Sequence, residues 1–595
     1  YDEAFHWFEN SARSGYAEAQ YQFGLMYQQG KGVDRDDAQA VRWFRMAAKQ
    51  GYAEAQYQLA VHMEYERGVA KDPKMVAWYE LAAKKGIALA MYKIASLYAE
   101  GRDTEQSDSK ALAWILKAEA AKLPEAKAYR QQLASRIKNK ARAGDADSQF
   151  LLAMMYHESR GVAFDNVKSL QWLTSAAEAN HIEAQLRLGK VLLLGIGTAP
   201  DDRNAFQWLL KAARQGSAES ASLVGAMYAL GRGVEINSRK AEEWMLVAAN
   251  QGVLRAQTNL GLLYAQGRGV PKDLDKGIKW LKQAAEAGFA EAQNSMVVTY
   301  TLGFGYRESD MKSALFWLKK AAESYAKAQL NLGIIYARGL GVERNDEEAA
   351  QWLLKAEAGG NARAQTVLGL FYDAGRGVGR STHEAADWYR KASVRGDMDA
   401  VYNLAVLYYT GRGMERNMVS AARLFQQLAD HEDASSQNTL GSMYLEGRGV
   451  KFNPAKAAEL FLAAARQRSA IAQFNIGNVY RRGDGVDQSD SKAVFWYQKS
   501  AAQNYAPAQN ALAYMHVEGR AVKQDKKRAM GLFEAALAGG LSVAGQNLGI
   551  LKKNGVGYKL VTTKIDTSVR ADVLTEEPFD LARWLEMDRM PSLGI

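Results

Sequence analysis

Apolar and polar positions along this chain fall into two helical stripes joined by a glycine turn, and the arrangement recurs. Between residues 253 and 288, Ala256, Leu260, Leu263 and Tyr264 follow the i, i+4, i+7, i+8 spacing of one helix face. Gly267-Arg-Gly269 stops that helix, because glycine takes the left-handed backbone state that helix ends favour. Val270 drops into the gap, and Asp273 stands where a cap for the next helix belongs. Ile278, Leu281, Ala284 and Ala285 form the second stripe, on a helix that also carries Trp280, and Gly288 ends it. The small Gly261 and the Ala284-Ala285 pair predict a close approach between neighbouring helices. The unit is a helix-turn-helix hairpin whose outer face stays unburied until the next hairpin stacks on it.

Tryptophan gives the period. Trp7, Trp43, Trp78, Trp114, Trp172, Trp208, Trp244, Trp280, Trp317, Trp352, Trp388 and Trp496 are separated by 35 to 37 residues, apart from one gap of 58 and one of 108. The longer gap is three periods, with Leu424 and Leu460 on the skipped beats, and the shorter is one period plus 22 residues. A bulky residue returning at this interval means one small unit stacked many times, so the chain has no single core and no single cleft by default. That overrides the expectation of about four globular domains from a length of 595 residues.

The repeated pattern, Ala-x-Ala-Gln-x-x-Leu-Gly-x-x-Tyr-x-x-Gly-x-Gly-Val followed by Ala-x-x-Trp-x-x-Lys-Ala-Ala-x-x-Gly, resembles the Sel1-like repeats, relatives of the tetratricopeptide class. It is seen from Ala17-Glu-Ala-Gln20 to Gly30-Lys-Gly-Val33, and from Ala326-Lys-Ala-Gln329 to Gly339-Leu-Gly-Val342. The resemblance covers residues 1–118 and 145–557 and departs from pattern at Glu64-Tyr-Glu-Arg-Gly68 and Gly303-Phe-Gly-Tyr306. It implies an all-α, right-handed superhelical solenoid of about fifteen hairpins. Two segments interrupt the rhythm. Residues 119–144 predict an inserted helix after Pro124, with Arg136, Lys138, Lys140 and Arg142 near its C-terminal dipole. Residues 558–595 predict a C-terminal tail that caps the last open face or docks a partner, with a short helix from Pro578 to Met590 bearing Phe579, Leu581, Trp584 and Leu585. The opening residues, Tyr1 to Phe8, are in the phase of a second helix, which predicts a longer protein upstream.

Composition narrows the function classes. Apolar residues make up 48% of the chain, enough for a continuous core, and no apolar run approaches the ~18 residues of a membrane-spanning helix. A net charge of +10 over this length is a mild bias. The basic residues fall in the turns (Arg232, Arg268, Arg376, Arg412, Arg448) and in the Lys-Ala-Ala phase (Lys211, Lys282, Lys320, Lys391), which reads as a solvated face and not a nucleic-acid surface. Acidic or polyanionic partners stay open on this count. With no cysteine there is no disulfide, thiolate metal site or cysteine nucleophile, and such a chain suits an oxidising compartment.

Catalytic signatures are missing from the pattern. The histidines (His6, His62, His157, His181, His383, His431 and His516) are never three or four residues apart, so no metal motif forms and no cofactor is expected. The Gly-x-Gly turns follow no strand and precede no Gly-Lys-Ser or Gly-Lys-Thr, so they terminate helices and do not cradle phosphate. Glu242-Glu243 and Glu347-Glu348 are adjacent on helices and point apart. One track stands out: Asn259, Asn331, Asn403, Asn475 and Asn547, each 72 residues from the next. On a solvent-facing concave surface such amides would donate to and accept from an extended peptide backbone. With Phe579 and Trp584 they are the expected partner-binding residues, whereas Trp244, Trp280 and Trp352 are expected to be largely buried structural groups.

The resemblance then implies a non-catalytic scaffold for protein partners in the bacterial envelope, periplasmic or secreted, acting in assembly, cell-wall-enzyme regulation or contact with a host protein. Long enhanced-entry-type bacterial proteins are similar in kind. A carbohydrate-binding solenoid facing peptidoglycan or acidic polysaccharide, and a cytoplasmic adaptor of signalling or degradation complexes, are the alternatives.

Overall fold

A computed structural model of the chain describes residues 2–303 and 308–554. Among these, all regular structure is helical, in thirty-one helices of mostly thirteen residues. They fall into two compact units, Tyr1–Asp273 and the described residues from Leu274 onward, and each is a stack of hairpins. In every hairpin we call the first helix A and the second B. Ala218–Leu230 (A) and Ser238–Asn250 (B) are typical.

Local chemistry sets the boundaries. Gly231 closes its A helix at φ 70°, and a Cβ on Gly233, two residues on, would lie 2.0 Å from the carbonyl oxygen of Asp202 in the preceding hairpin, so only glycine fits there. The B helix then starts on a side-chain cap: Asn237 accepts from Lys240 N–H, as Asp165, Asp201, Ser381, Asn453 and Asp525 do elsewhere. Between hairpins, the glutamine of Ala-x-Ala-Gln donates back to a carbonyl in the last turn of the helix before it. Gln185 to Ala177, Gln293 to Ala285 and Gln473 to Ala465 are such bonds, at 3.0 to 3.1 Å.

The core lies between A and B, and its anchor is the residue after the tryptophan beat. Phe44, Tyr79, Leu209, Met245, Leu353, Tyr389, Phe425, Phe461, Tyr497 and Phe533 are buried to within 1% of full burial. The A-helix glycine opposite makes room for them. A Cβ on Gly24, Gly225, Gly369 or Gly477 would come within 2.4 to 2.8 Å of Phe44, Met245, Tyr389 or Tyr497. In the second hairpin Ala60 takes that place, and both it and Tyr79 are fully buried.

A and B helices bury different shares of their surface. B helices bury one stripe, such as Ala241, Met245, Ala248 and Ala249. The A helix Ala218–Leu230 buries nine residues in a row, Ser220 to Tyr228, and Ala362–Ala374 buries Ala364 to Phe371. Runs of that length pass through more than two turns, so these helices are covered on every side. The first A helices are not. Ala17–Gln29 buries only Ala19, Gln20, Phe23, Gly24 and Met26.

The segment that breaks the period forms one helix, Pro124–Arg142, of nineteen residues, with Pro124 in its first turn. Toward the hairpins before it, this linking helix stands as an A helix: Tyr129 packs on Tyr92, 37 residues back, with ring centroids 5.2 Å apart. The same offset of 37 joins Asn331 to Asn294 in neighbouring A helices of the second unit. Toward the hairpins after it, it stands as a B helix. Gln149 donates to Ala141 O as Gln185 does to Ala177 O, and Gly161 lies against Arg130, 31 residues back, as Gly233 lies against Asp202. It is therefore a repeat whose two helices have merged. The A layer of the hairpins before it runs on into the B layer of those after it.

Candidate partner-binding surface

The asparagine track does not face solvent. Asn259, Asn331, Asn403, Asn475 and Asn547 are all buried, none more than 4% exposed. Asn331 Nδ2 donates to Asn294 Oδ1 at 2.8 Å, Asn475 to Asn438 at 2.9 Å and Asn547 to Asn510 at 3.0 Å. These are rungs between successive A helices. The alternate spacing arises because apolar residues, Leu330 and Val367, take the rung between, both buried. The expected peptide track is thus corrected: the second unit packs its own A helices where a ligand groove was expected. Phe579 and Trp584 lie outside the described residues.

Trp244, Trp280 and Trp352 keep only a minor part of their surface exposed, largely buried as expected, while the next residue on the helix holds the fully closed core position. One reason for the recurring Trp-x-x-Lys shows in the rings. Lys117, Lys211, Lys355 and Lys391 hold their ammonium groups 3.9 to 4.3 Å from the centroids of Trp114, Trp208, Trp352 and Trp388. The turn arginines are likewise engaged. Arg232 and Arg376 pair with Asp202 and Asp346 of the hairpin before, each through two nitrogens, and Arg376 also donates to Ala337 O. Arg412 pairs with Asp373. The basic turns expected to form a solvated face are in good part rivets between hairpins.

An open surface is found elsewhere, on the A helices of the first unit. Ala17–Gln29, Ala53–Glu64, Ala88–Glu100 and the linking helix carry Tyr21, Tyr57, Tyr92 and Tyr129 on one side, all half-buried. Tyr21 and Tyr52 lie with ring centroids 5.2 Å apart. Burial first, then the nearby Glu54, push the Tyr21 hydroxyl above its ordinary pKa, so it stays a neutral donor. At one end sits the departure from pattern at Glu64. Its carboxylate accepts from the buried Tyr79 hydroxyl at 2.6 Å and pairs with Lys93 at 3.3 Å, and Lys93 also reaches the Tyr65 hydroxyl at 2.6 Å. Burial, then Glu64, hold Tyr79 far above its ordinary pKa. This patch was missed in the sequence because its signal, a tyrosine at the fifth position of early A helices, is the residue type expected of core as well as surface.

A recess of about 670 Å³ lies where the linking helix changes layers, lined by Asp108, Lys140, Asp147, Phe150, His181 and Arg187 among others. Phe150 stacks on His181 at 4.5 Å, and His181 Nδ1 accepts from Ala184 N–H as a helix cap. Lys140 pairs with Asp108, and Arg187 with Glu183. Among the described residues no three His, Asp or Glu side chains gather as for a metal ion.

Fifteen segments between residues 1 and 541 match the model of the Sel1 repeat family, from 1–16 and 17–52 through 506–541. The chain belongs to the Sel1 repeat family. The matches stop at 122 and resume at 146, so they pass over the linking helix of this Sel1 repeat chain. Among solved structures it is similar to c5321, a protective antigen present in uropathogenic Escherichia coli strains displaying an SLR fold. The identity there is 24% over 94% of this chain and 99% of that one, with a TM-score of 0.29. It is also similar to a Sel1 repeat protein from Oxalobacter formigenes, at 27% identity over 64% of this chain and 89% of that one, with a TM-score of 0.32. No curated protein matches the chain. Among the described residues no helix is long and apolar enough to cross a membrane.

Proposed function

We propose that this Sel1 repeat chain is a non-catalytic scaffold of the bacterial envelope that holds a protein partner along the A-helix face of its first hairpins. The observation that carries the reading is the contrast along the A helices. Tyr21, Tyr57, Tyr92 and Tyr129 stand half-open on the first helices, while Ala218–Leu230 and Ala362–Ala374 are covered on every side. Tyrosine offers large, rigid, amphipathic contact area at low entropic cost, which is why it concentrates at protein-binding surfaces. The tryptophans support a protein partner over a glycan, since in several hairpins a lysine already lies over the ring a sugar would stack on. The envelope placement is supported by a chain of 595 residues without cysteine.

The test is affinity capture from the native envelope fraction with the full chain, followed by binding of the captured partner to a Tyr57→Ala/Tyr92→Ala variant. Loss of two such contacts is expected to weaken binding at least tenfold, about 1.4 kcal/mol or more, while the helical signal of the array persists. Equal affinity of parent and variant would place the partner on another surface.

A further inference from the structure

The last described helix, Ser542–Asn554, is an A helix with no B helix after it among the described residues. Its place in the stack is regular: Asn547 makes the rung to Asn510, and Ala544, Leu548 and Leu551 are buried. What differs is the side that a B helix covers in the other hairpins. A Cβ on Gly24, Gly189 or Gly477 would collide with the buried anchor of the same hairpin, Phe44, Leu209 or Tyr497, twenty residues further on. Gly549 holds the same place on its helix, yet it is exposed, and no described atom lies within 4 Å of where its Cβ would stand. Ala513, at that place in the hairpin before, is fully buried. The last anchor socket is formed and stands open among the described residues.

The chain that follows offers two residues for that socket. Val569 stands at the regular distance of twenty residues. A helix in its register would put Ser568 on the tryptophan beat and Asp566 at the place where Ala458 is buried in an ordinary B helix. Sixteen residues later the B-helix pattern returns. Pro578 falls at the place of Pro454 in the first turn, and Leu581-Ala582 at the place of Ala457-Ala458. Trp584 then falls on the tryptophan beat and Leu585 at the anchor, the order also seen in Trp208-Leu209 and Trp352-Leu353. The pattern departs only further on, where Asp588-Arg589 stand in place of Ala464-Ala465. That alanine pair is buried in one cluster with Ala472 and Ile476 of the next hairpin. On a helix that closes the stack no hairpin packs there, and charged residues suit the polar outer face that a terminal repeat needs.

We propose that residues 578–589 are the B helix of a sixteenth hairpin, that Leu585 seats against Gly549, and that this helix closes the array. The family matches end at 541, and the sixteen added residues fall in the loop between the two helices of this last hairpin. Residues 555–577 are ample to reach the socket, since a regular hairpin makes the same connection with residues 483–489 alone. The occupant of the socket is thus a segment of the chain itself, and the assignment is independent of the tyrosine face.

Amide exchange of the full chain, read by mass spectrometry over residues 578–589, tests it. In the isolated protein these amides should exchange roughly tenfold or more slowly than in the same peptide free in solution. Gly549→Leu, which fills the socket from the A side, and Leu585→Asp should each abolish that protection while the helical signal of the array persists. Val569→Asp, at the regular distance but in the wrong register, should leave the protection unchanged. Free exchange over 578–589 in the parent, or protection that survives Gly549→Leu, overturns the proposal and assigns the segment to a partner or to another surface. Loss of protection with Val569→Asp and not with Leu585→Asp overturns the register. Protection that falls on dilution, as light scattering follows a dimer into monomers, means that the socket takes the segment of a second copy, and closure within one chain falls.

Discussion

Buried side-chain amides fix how neighbouring A helices meet in the second unit. Asn331 donates to Asn294 in a site closed to water, so losing one partner strands the other. Asn331→Ala is expected to destabilise the array by about 1–3 kcal/mol, the cost of a buried amide left without its bond. On a solvent-facing helix the same change would be neutral or mildly favourable. The chain itself supplies the rescue, because Leu330 and Val367 fill the neighbouring rung. Asn294→Leu combined with Asn331→Val should recover most of the loss, and chemical denaturation of the single and double variants measures both. The period of the asparagines was legible in the sequence, but their face was not. Whether a given helix face meets solvent or a neighbouring A helix depends on how closely successive hairpins approach, and no residue within one unit reports that. The tryptophans show the same limit. Successive helix positions lie 100° apart, so a beat locates the helix without saying whether Trp352 or Leu353 points inward. The half-buried tyrosines lacked even a beat that runs through the unit, since Leu186 and Ser222 replace them in its later A helices.

At the scale of the element, Ala53–Glu64 is the helix whose fit to the array depends on pH. His62 occupies a position that is Met26 or Met155 in other hairpins and is fully buried against Phe44. Its Nδ1 bonds the carbonyl of Arg67 at 2.9 Å, and its Nε2 has no partner. Burial lowers its pKa below the ordinary 6.5, outweighing the bond to Arg67 and the nearby Asp37, both of which raise it, while Arg67 and Arg35 lower it further. A histidine depressed on folding lends stability that is complete above the unfolded pKa near 6.5 and is lost as pH falls through the folded value. Amide exchange across residues 53–64, corrected for intrinsic rates, should therefore quicken between pH 7 and pH 5 more than across Ala88–Glu100. His62→Met should remove the difference. A His62→Met variant with the parent's pH dependence would assign the effect to another group. The linking helix was only half legible at this scale. Pro124 and the 22 extra residues announced a helix, but its dual place did not follow from them. It emerges from two registers laid over one helix, Ala126 and Tyr129 in the A phase and Ile137, Ala141 and Gly144 in the B phase.

Across the first unit as a whole, that dual place makes the merged repeat a switch of layers. Removing residues 124–145 takes out 22 positions and restores the tryptophan interval from Trp114 to Trp172 to a regular 36. Leu123 would then run directly into Ala146-Asp-Ser-Gln149, the same junction as Phe289 into Ala290-Glu-Ala-Gln293. Stacked repeats depend on nearest neighbours, so the shortened chain should fold, with Ala146–Glu158 moved into the A layer beside Ala88–Glu100. In that arrangement Leu151 takes the place against Tyr92 that Tyr129 holds in the full chain. The absence of cysteine makes this directly readable. A Tyr92→Cys/Tyr129→Cys pair should be joined by a short bismaleimide in the full chain, and a Tyr92→Cys/Leu151→Cys pair only in the shortened one. Cross-linking of the second pair in the full chain would mean that the layers do not exchange. The end of the tyrosine face at the linking helix would then have to be abandoned.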